Sequence, residues 1–151
     1  MNITIFTIEK TKDEMFESIV KNYLKMLKRF AKVEDRTVFN KRIAVSQTKG
    51  EAEARKSYTK AYEPFLSGYS VALDVKGEEI DSFEFSKIFN KNANVNFFIG
   101  GAFGFEKEFL TQTQRIISLS RLTYAHKVAK VVLFEQIYRG LCIDANHPYH
   151  K

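Results

Sequence analysis

Three glycines directly after an apolar run form the clearest candidate for a ligand-binding loop in this sequence. They are Gly100, Gly101 and Gly104, and they follow the segment VNFFI at residues 95–99. Glycine lets the backbone turn sharply or approach a ligand closely, because it has no Cβ. The spacing matches neither a dinucleotide-binding GxGxxG motif nor a Walker A loop. The spacing alone therefore favours a tight turn between a strand and a helix, with a ligand loop as the alternative.

The C-terminal segment NHPYHK gathers side chains that could bind a metal, move a proton or stack on a ring. His147 and His150 have the spacing of an HxxH metal pair, but no third ligand with suitable spacing is near them in the sequence. We therefore expect no metal site. A solvated chain end is the ordinary alternative, whereas the aromatic and imidazole side chains around Pro148 favour a tail that docks on a surface.

Other candidate reactive groups are few. Cys142 is the single cysteine of the chain, which excludes an intrachain disulfide framework. It ends an apolar segment, so we expect a buried small hydrophobe rather than a reactive thiol. No GxSxG elbow frames a serine nucleophile. A basic segment contains Lys41, Arg42, Lys49, Arg55 and Lys56. Its composition is equally consistent with a solvated surface and with contacts to RNA phosphates.

Strands and helices are predicted to alternate along the chain and to position these groups. The predicted strands cover residues 2–8, 33–39, 70–75 and 95–99, and residues 116–119 are a short apolar run before a predicted loop at residues 120–125. The predicted helices follow capping boxes at Thr11–Glu14 and Asp81–Glu84 and cover residues 50–62, 106–113 and 127–141. Residues 40–48 are predicted to be a polar connection, and Lys76–Gly77 a turn. Strands separated by helices predict an α/β fold with a mostly parallel sheet and helices on both faces.

Length, composition and charge narrow the class of protein. The 151 residues are 44% hydrophobic and 28% charged, which predicts one globular domain over residues 1–151. No secretory signal and no membrane-spanning run is recognisable, so we expect a cytoplasmic protein without a membrane partner. The net charge of +6 favours a polyanionic partner such as RNA. The final helix is apolar on more than one side, so we expect a second packing neighbour, which another copy of the chain could supply.

Five segments carry a resemblance to a known family. They are LDVKG, FFIGGAFG, SLSRLTYAHK, VVLFEQIYRG and the terminal NHPYHK, in this order from residue 73 to residue 151. In this order, and with the opening strand and the chain length, they resemble the RlmH family of SPOUT-class methyltransferases. That family methylates N3 of a pseudouridine in the 23S ribosomal RNA of the large subunit.

The resemblance implies a single α/β domain whose C-terminal part forms a trefoil knot, with S-adenosylmethionine bound in the knot. Carried over by motif, the cofactor-binding positions are Leu73, Gly101, Leu119, Ser120, Arg121, Leu122, Thr123 and Tyr124. At Gly101 the missing Cβ would let the backbone approach the cofactor closely. The chain departs from the family pattern at Ala125, where proline is common, and at Ala102–Phe103.

The resemblance also implies a homodimer that acts on 23S ribosomal RNA, and on assembled ribosomes because the chain has no separate RNA-binding domain. N3 of pseudouridine is an imide nitrogen that becomes nucleophilic only when its proton leaves. We expect His150, Tyr149 and Arg139 to be the catalytic residues, with the tail reaching across the dimer. His150 could accept the proton, Tyr149 could stack on or hydrogen-bond the base, and Arg139 could stabilise charge on a carbonyl oxygen. Arg139 could instead only pair with Glu135, one helical turn earlier.

Two other functions fit the same residues. A non-catalytic RNA- or ribosome-binding protein of this fold would keep a basic surface and have a blocked cofactor site. A methyltransferase of the same class could instead modify another RNA base.

Overall fold

A computed structural model describes all 151 residues, which form five strands and six α-helices. The strands are β1 (Asn2–Ile8), β2 (Lys32–Val38), β3 (Tyr69–Glu79), β4 (Asn94–Ile99) and β5 (Arg115–Ser118). The helices are α1 (Glu14–Leu27), α2 (Lys41–Lys49), α3 (Glu51–Tyr62), α4 (Ser82–Ser86), α5 (Lys107–Gln112) and α6 (His126–Asp144). A 3-10 turn, Glu63–Phe65, connects α3 to β3.

All five strands are parallel and form one sheet in the order β2-β1-β4-β3-β5. The predicted α/β fold with a parallel sheet is therefore confirmed. The last three strands of the chain are neighbours, with β3 between β4 and β5. Because parallel strands end at the same edge of a sheet, the segments that follow β3, β4 and β5 meet there.

Helices cover both faces of the sheet, as the sequence predicts. The larger core lies under α1, α4 and α6, and the smaller, aromatic-rich core lies under α2, α3 and α5. Side chains of a single strand divide between the two cores, because successive residues of a strand point to opposite faces. In β1, Ile3 and Ile5 belong to the larger core, while Phe6 and Ile8 belong to the smaller.

Short polar side chains set the starts of two helices. The Asp81 carboxylate accepts from the Glu84 amide at 2.8 Å, and the Glu84 carboxylate accepts from the Asp81 amide at 3.1 Å. This predicted capping box is confirmed. The predicted capping box at Thr11–Glu14 is wrong, because α1 begins after Asp13, whose carboxylate accepts from the Met15 amide.

The predicted polar connection over residues 40–48 is wrong, because this segment forms α2. The Asn40 side chain accepts from the Ile43 amide at 2.9 Å and thereby caps the helix. Ile43 is fully buried in the smaller core, although most side chains of α2 are polar. The buried Ile43, the Asn40 cap and packing against α3 together hold this short helix in place.

The predicted turn at Lys76–Gly77 is also wrong, because β3 continues to Glu79. Its register on β5 shifts there, so that Leu73 and Glu78 both pair with Ile117. Residues 74–77 therefore form a bulge that bends over β5. A Cβ on Gly77 would lie 2.6 Å from the Ile117 backbone, so only glycine fits this crossing.

Helix α6 packs on two other helices of the same chain, α1 and α4. Leu133, Phe134 and Ile137 are buried, whereas Val128 is exposed and Val132 is half-buried, so part of the apolar surface of α6 is left uncovered within one chain. The homodimer and the trefoil knot stay predictions. Cys142 is buried in α6, and burial raises the pKa of its thiol, as expected for an inert core residue. None of the helices combines the length and the apolar character needed to cross a bilayer.

Candidate functional site

A cavity of about 400 Å³ lies at the carboxyl ends of β3, β4 and β5. Its walls come from the end of β3, the glycine turn after β4, the loop after β5 and the first turn of α6. This is the edge of an α/β sheet at which ligands bind. The volume falls within the range of roughly 300–1,000 Å³ typical of small-molecule sites.

The cavity brings together most of the positions expected to bind a cofactor. Seven of the eight line it: Leu73, Gly101, Leu119, Ser120, Leu122, Thr123 and Tyr124. The eighth, Arg121, is exposed and lies outside the lining. Their convergence follows from the strand order, which makes three distant segments neighbours. Their role toward a cofactor stays a prediction.

The loop after β5 has main-chain groups free for a ligand. The Ser118 hydroxyl donates to the Ser120 carbonyl at 2.8 Å, and the Ser120 hydroxyl accepts from the Leu122 amide at 3.0 Å. No other backbone hydrogen bond within the chain involves residues 120–124. Ala125 has a φ of −57°, a value that proline also adopts, so its departure from the family pattern does not change the path of the loop.

The segment Gly100–Gly104 forms a tight turn, as its spacing predicts. The Gly104 amide donates to the Gly101 carbonyl at 3.0 Å, and Gly104 has a φ of +73°, which favours glycine. At Gly101 the structure gives a further reason for glycine, beside the expected approach of a cofactor, which stays a prediction. An added Cβ would lie 2.6 Å from the Tyr58 ring of α3, so the missing side chain makes room for a packed aromatic residue.

We therefore expect Gly101→Ala to lower the free energy of unfolding by about 1–3 kcal/mol, the usual cost of forcing an extra methyl group into a packed interior. Tyr58 is 1% exposed and its hydroxyl accepts from the Gln47 side chain at 2.7 Å, so the ring has little room to move. Thermal unfolding of Gly101→Ala, with Ala102→Ser at an exposed neighbour as control, measures the effect. A wild-type melting temperature for Gly101→Ala would show that the ring moves freely.

The charged groups of the cavity are one carboxylate and one imidazole. Asp74 is the only acidic residue of the lining, and its Oδ1 accepts from the Lys76 amide at 2.9 Å within the β3 bulge. His126 lines the opposite wall, and burial lowers the pKa of its imidazole. The neutral form of His126 is therefore favoured at neutral pH, and the lining carries one negative charge.

The residues expected to be catalytic form a cluster at the other end of α6. Glu135 holds it together, because its carboxylate accepts from Arg139 Nε at 2.9 Å and from the Tyr149 hydroxyl at 3.3 Å. The Arg139 guanidinium lies 4.9 Å above the Tyr149 ring and contacts His150 Nδ1 at 3.2 Å. Arg139 thus pairs with Glu135, as the alternative interpretation predicts, and also contacts the tail, while its catalytic role stays a prediction. We call these four residues the tail cluster.

The Arg139 contact determines which nitrogen of His150 carries the proton. A guanidinium only donates hydrogen bonds, so Nδ1 of His150 is the acceptor and the neutral ring carries its proton on Nε2. In this arrangement the free nitrogen of His150 is a donor rather than a proton acceptor. The expected role of His150 as a base stays a prediction, and a role as hydrogen-bond donor is the alternative that this contact favours.

The tail cluster and the cavity are separate within one chain, because none of the cluster residues lines the cavity. Ala129, in the cavity wall, and Arg139 are ten residues apart on α6. At 1.5 Å per residue this separation corresponds to about 15 Å along the helix axis. A ligand in the cavity of one chain therefore does not reach the tail cluster of the same chain.

A buried ionic cluster, not predicted from the sequence, lies between the cavity and the core. The Lys130 ammonium lies 3.0 Å from a Glu9 carboxylate oxygen and 3.1 Å from the Asp35 carboxylate. Glu9 also lies 3.7 Å from His126 in the cavity wall. Lys130 and Glu9 are each 4% exposed in their side chains. The only signal in the sequence is a lysine within the apolar surface of the final helix.

The basic segment identified in the sequence lies on α2 and α3, on the opposite side of the sheet from the tail cluster. Arg55 and Lys56 form salt bridges with Glu51 and Glu53. Arg55 also donates to the Phe103 carbonyl beside the glycine turn.

The whole chain is similar to a known protein family and to full-length relatives from bacteria. A family model described as "Predicted SPOUT methyltransferase" matches residues 1–150. The chain is 52% identical over 151 residues to the ribosomal RNA large subunit methyltransferase H of Aliarcobacter butzleri, with full coverage of both chains. It is 50% identical over 151 residues, also with full coverage, to the protein of the same name from Campylobacter concisus.

A solved structure of a proposed RNA methyltransferase from Bacillus anthracis has the same fold. The TM-score is 0.51 at 11% sequence identity, and the match covers 99% of this chain and 97% of the other. At this level of identity the likeness concerns the fold alone.

Proposed function

Because this chain belongs to the SPOUT methyltransferase family, we propose that it is an S-adenosylmethionine-dependent methyltransferase of large-subunit ribosomal RNA. The observation that carries the proposal is the cavity at the carboxyl ends of β3, β4 and β5. The names of its full-length relatives, ribosomal RNA large subunit methyltransferases, support the substrate class. We further propose N3 of a pseudouridine in 23S RNA as the target, assembled ribosomes as the substrate and the cytoplasm as the location.

The cavity residues fit the proposed methyl donor. Free main-chain groups at residues 120–124 can hydrogen-bond an adenine edge, and Leu73, Ile99 and Leu119 supply apolar walls for its faces. When bound, the donor supplies a methyl group on a positively charged sulfur, which is a good leaving group. The main task of the protein is then to align this methyl group with the target nitrogen and to stabilise the anion of the base.

We propose that the tail cluster stabilises this anion. Loss of the N3 proton leaves negative charge on the two neighbouring carbonyl oxygens. Nε2–H of His150 and the Arg139 guanidinium are donors that can bind such oxygens, and Tyr149 offers an aromatic face for the base. The hydrogen bond to Glu135 raises the pKa of Arg139, so its charge persists at every physiological pH. The N3 proton leaves to solvent.

We also propose that the complete site forms between two copies of the chain. The separation of about 15 Å along α6 keeps the cavity and the tail cluster of one protomer apart. In a two-fold dimer, the tail cluster of one copy can face the cavity of the other. Leu122 at the cavity rim and Phe83 beside His150 support this arrangement, because they are large apolar side chains that are 72% and 55% exposed.

Methylation of ribosomes tests the proposed function. Ribosomes from a strain lacking the enzyme, incubated with the purified chain and radioactive methyl donor, should incorporate label into 23S RNA. Mass spectrometry of RNA fragments should locate the methyl group on N3 of a pseudouridine. A label on another base would support the alternative that the chain is a methyltransferase of the same class with a different target base. Absence of both label and donor binding would support a non-catalytic RNA-binding protein.

The single carboxylate of the cavity leads to a prediction for ligand choice. The donor has a net charge of +1 and the demethylated product is neutral, so Asp74 favours the donor over the product. Asp74→Asn should weaken donor binding about tenfold and leave product binding unchanged, equivalent to ~1.4 kcal/mol. Asparagine keeps an oxygen that can accept from the Lys76 amide, so the bulge is preserved.

Calorimetry with donor, product and sinefungin measures this effect. Sinefungin keeps the positive charge and has no methyl group to transfer, so it should lose affinity as the donor does. Equal losses for all three ligands would show that Asp74 acts through the shape of the bulge and not through its charge.

A further inference from the structure

The second half of α1 and the two residues that follow it carry a stripe of exposed cations that the proposed methyl transfer does not use. Its members are Lys21, Lys25, Lys28 and Arg29. Residues three and four apart lie on one side of a helix, so these four side chains form a single row. The opposite side of α1 packs into the larger core through Val20, Leu24 and Leu27. We call this row the α1 stripe.

No negative charge on the protein neutralises the α1 stripe. None of its side chains forms a salt bridge or a side-chain hydrogen bond, whereas the next cation along the chain, Lys32, pairs with Glu34 at 3.2 Å. No acidic residue occurs between Lys21 and Lys32. The acidic residues of α1 are confined to its first turn, at Glu14 and Glu17.

The stripe ends beside the tail. The Arg29 guanidinium lies 4.8 Å above the Phe30 ring, and that ring lies 6.2 Å from His147 in an edge-on contact. Phe30 also packs against Tyr138, whose ring lies 4.7 Å from that of Tyr149 in the tail cluster. Packed aromatic rings therefore connect the end of the stripe to the proposed methyl-accepting residues.

We propose that the α1 stripe binds phosphates of the RNA strand that flanks the methylated nucleotide. This inference rests on the proposed function, which supplies an RNA substrate at the tail cluster. From Lys21 to its end at Leu27 the helix rises about 9 Å, which corresponds to roughly three phosphates at the ~3.4 Å axial spacing of one strand in a duplex. Phosphate contacts fix the position of the strand, and the tail cluster then contacts the base.

The basic segment on α2 and α3 is the competing surface and provides a matched control. It lies on the other side of the sheet from the tail, and two of its five cations are already paired with glutamates. The test variant is Lys25→Gln, Lys28→Gln and Arg29→Gln combined. The control variant is Lys41→Gln, Arg42→Gln and Lys49→Gln combined, which removes the same charge from exposed positions of α2.

Binding to purified large ribosomal subunits, measured over a range of salt concentrations, distinguishes the two surfaces. Each lost phosphate contact reduces the slope of log K against log salt by about 0.7–0.9, so the test variant should lose about 2–3 in slope. The control variant should keep the wild-type slope. The test variant should also show an increased KM for RNA with an unchanged affinity for the methyl donor.

A wild-type slope and KM for the test variant would overturn the proposal, as would a larger slope change in the control variant. The outcome is separable from that of the proposed function, because subunit binding needs no methyl transfer. If the wild-type chain binds subunits through the α1 stripe but transfers no methyl group, the proposed RNA binding by the stripe is supported and the proposed enzyme activity is contradicted.

Discussion

Lys130→Met is expected to lower the free energy of unfolding at pH 7 by about 3–5 kcal/mol, the usual cost of breaking a buried ion pair. The substitution leaves Glu9 and Asp35 as two buried carboxylates without their cation. For a chain of this size we expect the melting temperature to fall by roughly 10 °C. Chemical and thermal unfolding measure the loss.

A control variant separates the loss of charge from the loss of packing. Combining Lys130→Met with Glu9→Gln and Asp35→Asn removes all three charges, and most of the stability should return. Replacing a whole buried ionic cluster by neutral groups costs far less than removing one partner. An equally unstable triple variant would show that packing around Lys130, and not its charge, stabilises this region.

The pH dependence of Lys130→Met gives a second measurement. Burial raises the pKa of Asp35 above its ordinary 3.8, and Lys130 opposes this shift. A carboxyl group with a raised pKa in the folded state favours folding below its ordinary pKa, and this contribution is lost as the pH rises through the folded value. Without Lys130 the pKa rises further. The stability difference between variant and wild type should therefore narrow as the pH falls from 7 toward 4.

His150→Ala is expected to lower kcat by roughly 10²–10³-fold, the usual effect of removing one donor to a developing anion. The affinity for the methyl donor should not change, because His150 lies outside the cavity. Single-turnover methylation of ribosomes and calorimetry with the methyl donor measure the two quantities separately. Equal losses in both would contradict a role of His150 in the chemical step.

His150→Gln distinguishes a hydrogen-bond donor from a general base. Glutamine keeps an N–H donor, but its side chain cannot take up a proton near neutral pH. If His150 acts through Nε2–H, the glutamine variant should retain clearly more activity than the alanine variant. If both variants are equally impaired and lose the same pH dependence, His150 takes the N3 proton, and the tautomer set by Arg139 changes when RNA binds.

The strands and the glycine turn were predictable because their signals are local. Alternating apolar residues identified the strands, and the glycines after β4 marked a turn at a sheet edge. The family resemblance added the loop after β5, which has no chemical signature of its own. The strand order, which places β3 between β4 and β5, was not predicted, and it is this order that brings the segments around the cavity together.

Features set by distant partners were not predictable. Glycine at position 101 depends on the Tyr58 ring, and glycine at position 77 depends on the backbone of β5. Lys130 interrupts the apolar surface of α6, but its partners lie 121 and 95 residues away in the chain. The donor state of His150 depends on one contact with Arg139. A single sequence contains no local signal for these long-range pairings.

The central claim is that one copy of the chain holds the methyl donor while the other presents the tail cluster, and mixing two inactive variants tests it. Ala102→Trp should block the cavity of its own chain, and His150→Ala should disable its own tail cluster. Equal mixing makes about half of the dimers mixed, and each mixed dimer has one intact composite site. Differently tagged copies confirm that subunits exchange.

With a site shared between two copies, methylation of ribosomes should recover to about a quarter of the wild-type rate in the mixture. Activity no higher than the average of the two separate variants, with exchange demonstrated, would contradict a site shared between two copies.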